Sequence, residues 1–215
     1  MKIVSINGSP KGKTSNTNVM IEALLKGFQS SDSEIHEILL SEKDIRYCKG
    51  CYSCWTKTPG RCIIDDDMKG LIEIMQGTDV FIIGTPLYFN NVSGTLKVFI
   101  DRLTATGGNP HENSNNPIQL KTQKFIVVSN CGFPNRSQFN IVSSWLTTFV
   151  SMMKGDLIGE FYTTNGKVLT QANEVQANSR RKYLSYLENC GKQYLEKMAL
   201  DDEKKGILSR NVLDF

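Results

Sequence analysis

Five short apolar runs, each followed by a segment of helical periodicity, constrain what this chain can fold into more than any other feature. Lys2 to Ile6 is β-favouring and stops at the turn signal Asn7-Gly8-Ser9-Pro10. From Ser15, which with Asn16 is a candidate cap, Met20, Ile21, Leu24, Leu25 and Phe28 fall on one helical stripe. Residues 34–40, Asp79 to Gly84, Lys124 to Ser129 and Leu157 to Tyr162 read as four further strands. Between and after them lie helical stripes at Met68 to Met75, Val92 to Leu103, Phe139 to Met153 and roughly 173–198. Strict alternation without a repeat or a linker predicts a parallel sheet covered by helices on both faces. Ligands of such sheets bind beyond the carboxyl ends of the strands, so the loops after the first four strands are where chemistry is expected.

The bulk numbers exclude several function classes. A formal charge of +3 is too small to argue for nucleic acid or an anionic membrane surface. The first apolar run is too brief for a signal-peptide core, and nowhere do about 18 apolar residues follow one another. The expected address is therefore the cytoplasm. Six cysteines stand at 48, 51, 54, 62, 131 and 190, four of them within fifteen residues. In a reducing compartment such a group reads as metal, iron–sulfur or thiol redox chemistry rather than as a disulfide framework.

The loop Gly8-Ser-Pro-Lys-Gly-Lys-Thr-Ser-Asn-Thr17 joins the first strand to the first helix. Free backbone N–H groups, hydroxyls and a helix N-terminus together suit a phosphate. Ser9, Ser15, Asn16 and Thr17 can donate hydrogen bonds, and Lys11 or Lys13 can add charge. A Walker loop is excluded by counting, because only three residues separate Gly8 from Gly12-Lys13-Thr14 where four are needed. The dinucleotide fingerprint G-x-G-x-x-G is also absent. A hydroxyl-rich turn that merely caps the helix is the alternative.

The opening SINGSPKGKTSNT, together with GTPLYFNNVSGTLKVFIDR at 84–102, resembles the NAD(P)H-dependent FMN reductase and multimeric-flavodoxin superfamily from residue 1 to about residue 160. The resemblance implies a flavodoxin-like α/β fold, a five-stranded parallel sheet in the order 2-1-3-4-5. It implies that Ser9, Lys11, Ser15, Asn16 and Thr17 hold the FMN phosphate. Pro86, Leu87, Tyr88, Phe89 and Asn90 would lie along the isoalloxazine, and Asn130 to Phe133, with Asn130 and Gly132 foremost, would approach its other edge. A flavin needs a flat apolar wall and backbone donors, which Tyr88, Phe89 and the peptide groups beside them can supply.

Cys48-x2-Cys51-x2-Cys54-x7-Cys62 follows the second strand and is expected on the same sheet edge as the flavin. Its spacing resembles that of the iron–sulfur flavoproteins, a branch of the same superfamily, which would make these four thiolates the ligands of a [4Fe-4S] cluster. Unmetallated thiols or a labile disulfide, and zinc, stay open as alternatives. Cys131 lies in the fourth loop, and Cys190 on an apolar stripe reads as core. His36 is expected to face solvent, His111 lies in a polar excursion over 105–120, and Asp65-Asp66-Asp67 reads as a helix N-cap. No catalytic side chain is expected.

These readings predict a domain over 1–200 and a C-terminal tail over 201–215, whose Ile207, Leu208, Val212, Leu213 and Phe215 would dock on a neighbouring subunit. The implied activity is an FMN-dependent oxidoreductase taking electrons from NAD(P)H to a quinone, a flavin or a redox protein, as a homodimer or homotetramer. The rivals are an iron–sulfur flavoprotein relaying single electrons to ferredoxin-like partners and a non-enzymatic electron carrier.

Overall fold

The five apolar runs pair as one parallel sheet in the computed structural model, which describes residues 1–107, 123–197 and 210–215. The strands are β1 (Lys2–Asn7), β2 (Glu34–Leu39), β3 (Val80–Pro86), β4 (Lys124–Asn130) and β5 (Asp156–Thr163), in the order β2-β1-β3-β4-β5. The helices are α1 (Asn16–Phe28), α2 (Ser53–Thr56), α3 (Met68–Met75), α4 (Gly94–Arg102), α5 (Phe139–Met152), α6 (Val168–Gln171) and α7 (Glu174–Lys197). The flavodoxin-like order expected from the sequence is the observed one.

Successive residues of the central strands serve opposite faces, as the two-residue strand period requires. Ile3, Val80, Ile82, Ile126 and Val128 pack under α1 and α7. Val4, Phe81, Ile83, Phe125 and Val127 pack under α3, α4 and α5. Burying one such side chain stabilises the fold by about 1.5–3 kcal/mol, so two complete apolar layers hold the sheet edges where the loops emerge. The α1 and α7 helices meet at two glycines. A Cβ on Gly27 would lie 2.0 Å from the Glu188 carbonyl oxygen, and one on Gly191 would lie 2.6 Å from that of Leu24.

Residues 210–215 dock on their own chain. Val212 is fully buried, its N–H donates to Thr163 Oγ1 at 2.8 Å, and Phe215 packs against Tyr183 and Tyr186 of α7. This part of the tail, expected on a neighbouring subunit, is occupied at home because its apolar side chains complete the α7 face of the core. Ile207, Leu208, His111 and most of the 105–120 excursion lie outside the described residues. Among the described residues no helix is long and apolar enough to cross a membrane.

Candidate functional site

Three loops converge at the carboxyl edge of the sheet, and buried polar side chains lock them together. Asn7, at the end of β1, accepts the Ser9 N–H at 2.9 Å and donates Nδ2 to the Gly12 carbonyl and Asn18 Oδ1. Gly12 sits at φ +52°, a conformation that favours glycine. Ser15 caps α1: its Oγ accepts the Asn18 N–H at 3.0 Å and donates to the Gly12 carbonyl at 2.7 Å. That hydroxyl is committed to shaping the loop, which leaves Ser9, Asn16 and Thr17 as its polar faces. The N–H groups of Asn16 and Thr17 open the helix, where no intrahelical acceptor exists. Lys11 and Lys13 are exposed and make no ion pair with any described residue.

The second loop is a tight turn. Tyr88 and Asn91 exchange two backbone hydrogen bonds of 2.9 and 3.0 Å, with Phe89 at φ +48° and Asn90 at φ +60° between them. Two positive φ angles define a type I′ turn, which Asn tolerates and a bulky aromatic does not favour. Phe89 is nonetheless there and is 105 % exposed, with Tyr88 beside it 46 % exposed. A fully presented ring in a loop at a sheet's carboxyl edge can serve as a stacking wall.

Asn130, at the end of β4, ties the loops into one body. Its Nδ2 donates to Thr17 Oγ1 at 3.0 Å, and its carbonyl accepts the Leu87 N–H at 2.9 Å. Ser93 does the same from the other side: its Oγ donates to the Gly8 carbonyl at 2.5 Å, accepts the Leu96 N–H, and so caps α4. Gly8 leaves no room for a side chain, since a Cβ would lie 2.6 Å from Leu96 Cβ. Pro86 is buried at the end of β3, while Gly132 and Phe133 stand exposed beyond β4. The structure therefore unites the loops holding Ser9, Asn16, Thr17, Leu87 and Asn130. Sequence reasoning missed Asn7, Asn18 and Ser93, whose only signal was polarity at positions that turn out buried.

The cysteines follow a different path. After β2 the chain runs along α4, with Leu40, Ile45 and Tyr47 beside Gly94, Thr95 and Val98. Trp55 Nε1 donates to the Thr104 carbonyl at 2.9 Å, just past the carboxyl end of α4. Cys62 and Arg102 line one cleft of about 690 Å³ with Met68, Ile72 and residues 58–65. Ser93 and Arg102 stand at opposite ends of α4, roughly 14 Å apart along its axis. The expectation that the thiols share the flavin's sheet edge is therefore corrected at Cys54 and Cys62, because the long connection descends the flank before α3 begins.

The four thiols suit a soft metal in kind and sit close enough to feel one another. Burial pushes the Cys54 thiol up, and the neighbouring Cys62, Cys51 and Cys48 add to it. The Ser53 N–H and hydroxyl, with Lys49 nearby, hold the exposed Cys51 down. Among the described residues no three Cys, His, Asp or Glu side chains stand in metal-binding geometry. Cys131 is buried, its Sγ 3.3 Å from the Phe133 carbonyl, and Cys190 is core as expected.

Asp66 does more than cap. Its Oδ1 accepts the Met68 N–H at the start of α3, but both oxygens grip Arg102, at 2.6 and 3.0 Å. The carboxylate is 0 % exposed and the guanidinium 1 %. Burial alone would raise the Asp66 carboxyl, yet the bonds from Arg102 and from the Arg46 and Met68 N–H groups hold it below the ordinary value. Asp67 instead accepts the Asp44 N–H at 2.8 Å, so the expected N-cap triplet is really a latch between the cysteine loop, α3 and α4. His36 pairs with Glu34 at 2.6 Å on the edge strand.

Residues 1–160 match the family model described as NADPH-dependent FMN reductase. An iron–sulfur flavoprotein of Archaeoglobus fulgidus is 39 % identical over 110 residues, 51 % of this chain and 49 % of that one. An FMN-dependent NADH:quinone oxidoreductase of Bradyrhizobium is 31 % identical over 136 residues, 60 % of this chain and 68 % of that one. The match to the archaeal relative thus spans about half of its length. Among solved structures, an FMN-dependent NADH-azoreductase of Bacillus anthracis in complex with FMN superposes with a TM-score of 0.63. It covers 89 % of this chain and 98 % of that one at 14 % identity, a likeness of fold.

Proposed function

The chain belongs to the NADPH-dependent FMN reductase family, and on that premise we propose that it binds FMN across the three locked loops and turns over NAD(P)H. One observation carries the reading: the hydroxyls of Ser9 and Thr17 and the free N–H groups of Asn16 and Thr17 are joined through Asn130 to the loop that carries the exposed Tyr88-Phe89 turn. A polar cradle and an aromatic wall joined on one sheet edge support a ligand with a phosphate at one end and a flat ring at the other. FMN, when bound there, supplies a ring that accepts hydride from NAD(P)H and passes electrons to a quinone, a flavin or a protein. The chain's own work is to hold the phosphate with Ser9, Lys11, Asn16 and Thr17, with Ser15 shaping the loop. Pro86, Leu87 and Asn90 aim the wall, and Asn130 and Gly132 close the far edge. No side chain is needed to move a proton at the reacting atoms.

Titration of the purified protein with FMN and with riboflavin tests the cradle, FMN binding at least tenfold more tightly. Anaerobic oxidation of NADH or NADPH by a small quinone tests turnover; saturable FMN binding with no turnover of either nucleotide leaves an electron carrier. Failure to bind FMN refutes the proposal. On the same reading the enzyme works in the cytoplasm as a homodimer or homotetramer. A face of α5 that carries no charged residue and exposes Ile141 and Met152 supports contact between copies, and light scattering reads the assembly.

A second reading is favoured by the four thiols at Cys48, Cys51, Cys54 and Cys62 and by the name of the archaeal relative. In it these residues hold a [4Fe-4S] cluster, which would supply one-electron transfer toward ferredoxin-like partners. Cys48 and Cys51 are exposed, so gathering the sulfurs asks for rotation of a surface loop rather than repacking of the core. Iron and sulfide assays on protein purified without oxygen decide it, and iron-free, colourless-at-the-cysteines protein rejects it.

A further inference from the structure

The buried guanidinium of Arg102 has three faces, and only two of them are used. Nη1 and Nη2 grip Asp66, and Nη1 also donates to the Arg46 carbonyl at 2.7 Å. The third donor, Nε–H, is buried and has no hydrogen-bond acceptor among the described residues. A buried donor left without a partner costs on the order of 1–3 kcal/mol, so a fold that keeps one demands an explanation. Cys62 shares the cleft with Arg102 and is close enough to act on its charge.

We propose that Arg102 is a positioning residue for Cys62, its Nε–H donating a hydrogen bond to the Cys62 sulfur when that thiolate ligates a cluster. The inference rests on the iron–sulfur reading above. Cys62 is the ligand that most needs such help. Seven residues separate it from Cys54, where two separate each of the other neighbouring thiols, and its loop turns through Gly60 at φ +77°. Asp66 and the Arg46 carbonyl hold the guanidinium plane still, so the remaining donor has a fixed direction before any metal arrives. The arrangement is an arginine fork turned inward, with a carboxylate on one edge and a thiolate on the other. Hydrogen bonds to cluster sulfurs are among the factors that set a cluster's potential, and partners behind a ligand commonly govern metal retention.

The test uses full-length protein reconstituted under argon with ferrous iron and inorganic sulfide. R102K keeps a cation for Asp66 but has no Nε–H. It is expected to melt below the wild type, because one amine replaces a two-pronged grip on Asp66, and to keep its FMN, while losing iron to a chelator about tenfold faster and showing a lower cluster potential. In wild-type protein carrying 15N-labelled arginine, pulsed EPR of the reduced cluster is expected to show nitrogen coupling that R61K and Arg46→Lys keep. That measurement needs no Arg102 variant and decides the matter even if R102K fails to fold. A loaded wild type without nitrogen coupling, or an R102K that holds iron and potential unchanged, overturns the proposal while leaving the cluster reading intact. A wild type that takes up no iron removes the cluster reading and this inference together, and FMN binding then stands alone.

Discussion

Replacing Asp66 by alanine should cost more stability than any surface change in this protein, because the carboxylate is the hub of a buried latch. It accepts four hydrogen bonds: from Arg102 Nη1 and Nη2 at 2.6 and 3.0 Å, from the Arg46 N–H at 3.0 Å and from the Met68 N–H at 3.1 Å. D66A strands a guanidinium that is 1 % exposed, with the Arg46 carbonyl as its remaining oxygen partner. Breaking a buried pair from one side costs about 3–5 kcal/mol, against a total stability of about 5–15 kcal/mol for a domain. Urea unfolding at neutral pH should show the midpoint falling at unchanged slope. The double variant D66L/R102M, which removes both charges, should recover most of the loss. The pH dependence has a defined sign. The folded Asp66 value lies below its unfolded one, so its contribution is complete above the ordinary carboxylate range near 4. It fades as the pH falls through that range and is gone below the folded value. D66N should lack that part of the acid sensitivity. A D66A loss below about 1 kcal/mol would refute the reasoning, since it would mean that the pair is solvated or idle.

Three further outcomes follow from single contacts. G191A should lower the melting temperature despite alanine's better helix propensity, because its Cβ would meet the Leu24 carbonyl at 2.6 Å; overpacking of this kind costs about 1–3 kcal/mol. Phe89→Gly should raise stability by about 1 kcal/mol by relieving a positive φ yet weaken FMN binding. A variant that is more stable and binds FMN equally well would show that the ring is no wall. Ser93→Ala removes both the α4 cap and the bond to the Gly8 carbonyl. It should cost about 1 kcal/mol in urea unfolding and loosen FMN more than riboflavin, which titration of the two ligands compares.

Much of the molecule was legible from local rules. Alternating apolar runs and helical stripes determine a parallel sheet because βαβ crossovers are right-handed and need cover on both faces, and Gly8 to Thr17 announces its loop by glycine and hydroxyl content alone. Cys190 is readable as core from one helical stripe. What the sequence could not determine is where polar side chains find partners far along the chain. Asn130 meets Thr17 across 113 positions, Ser93 meets Gly8 across 85, and Arg102 meets Asp66 across 36. Such bonds exist because the sheet stacks its loop-bearing edges side by side, and desolvation there makes an unpaired polar group costly. The same packing sends Trp55 and Cys62 down the flank of α4, a route no spacing of cysteines encodes. Local chemistry chose the elements; only the assembled core decided which buried charges face which thiols.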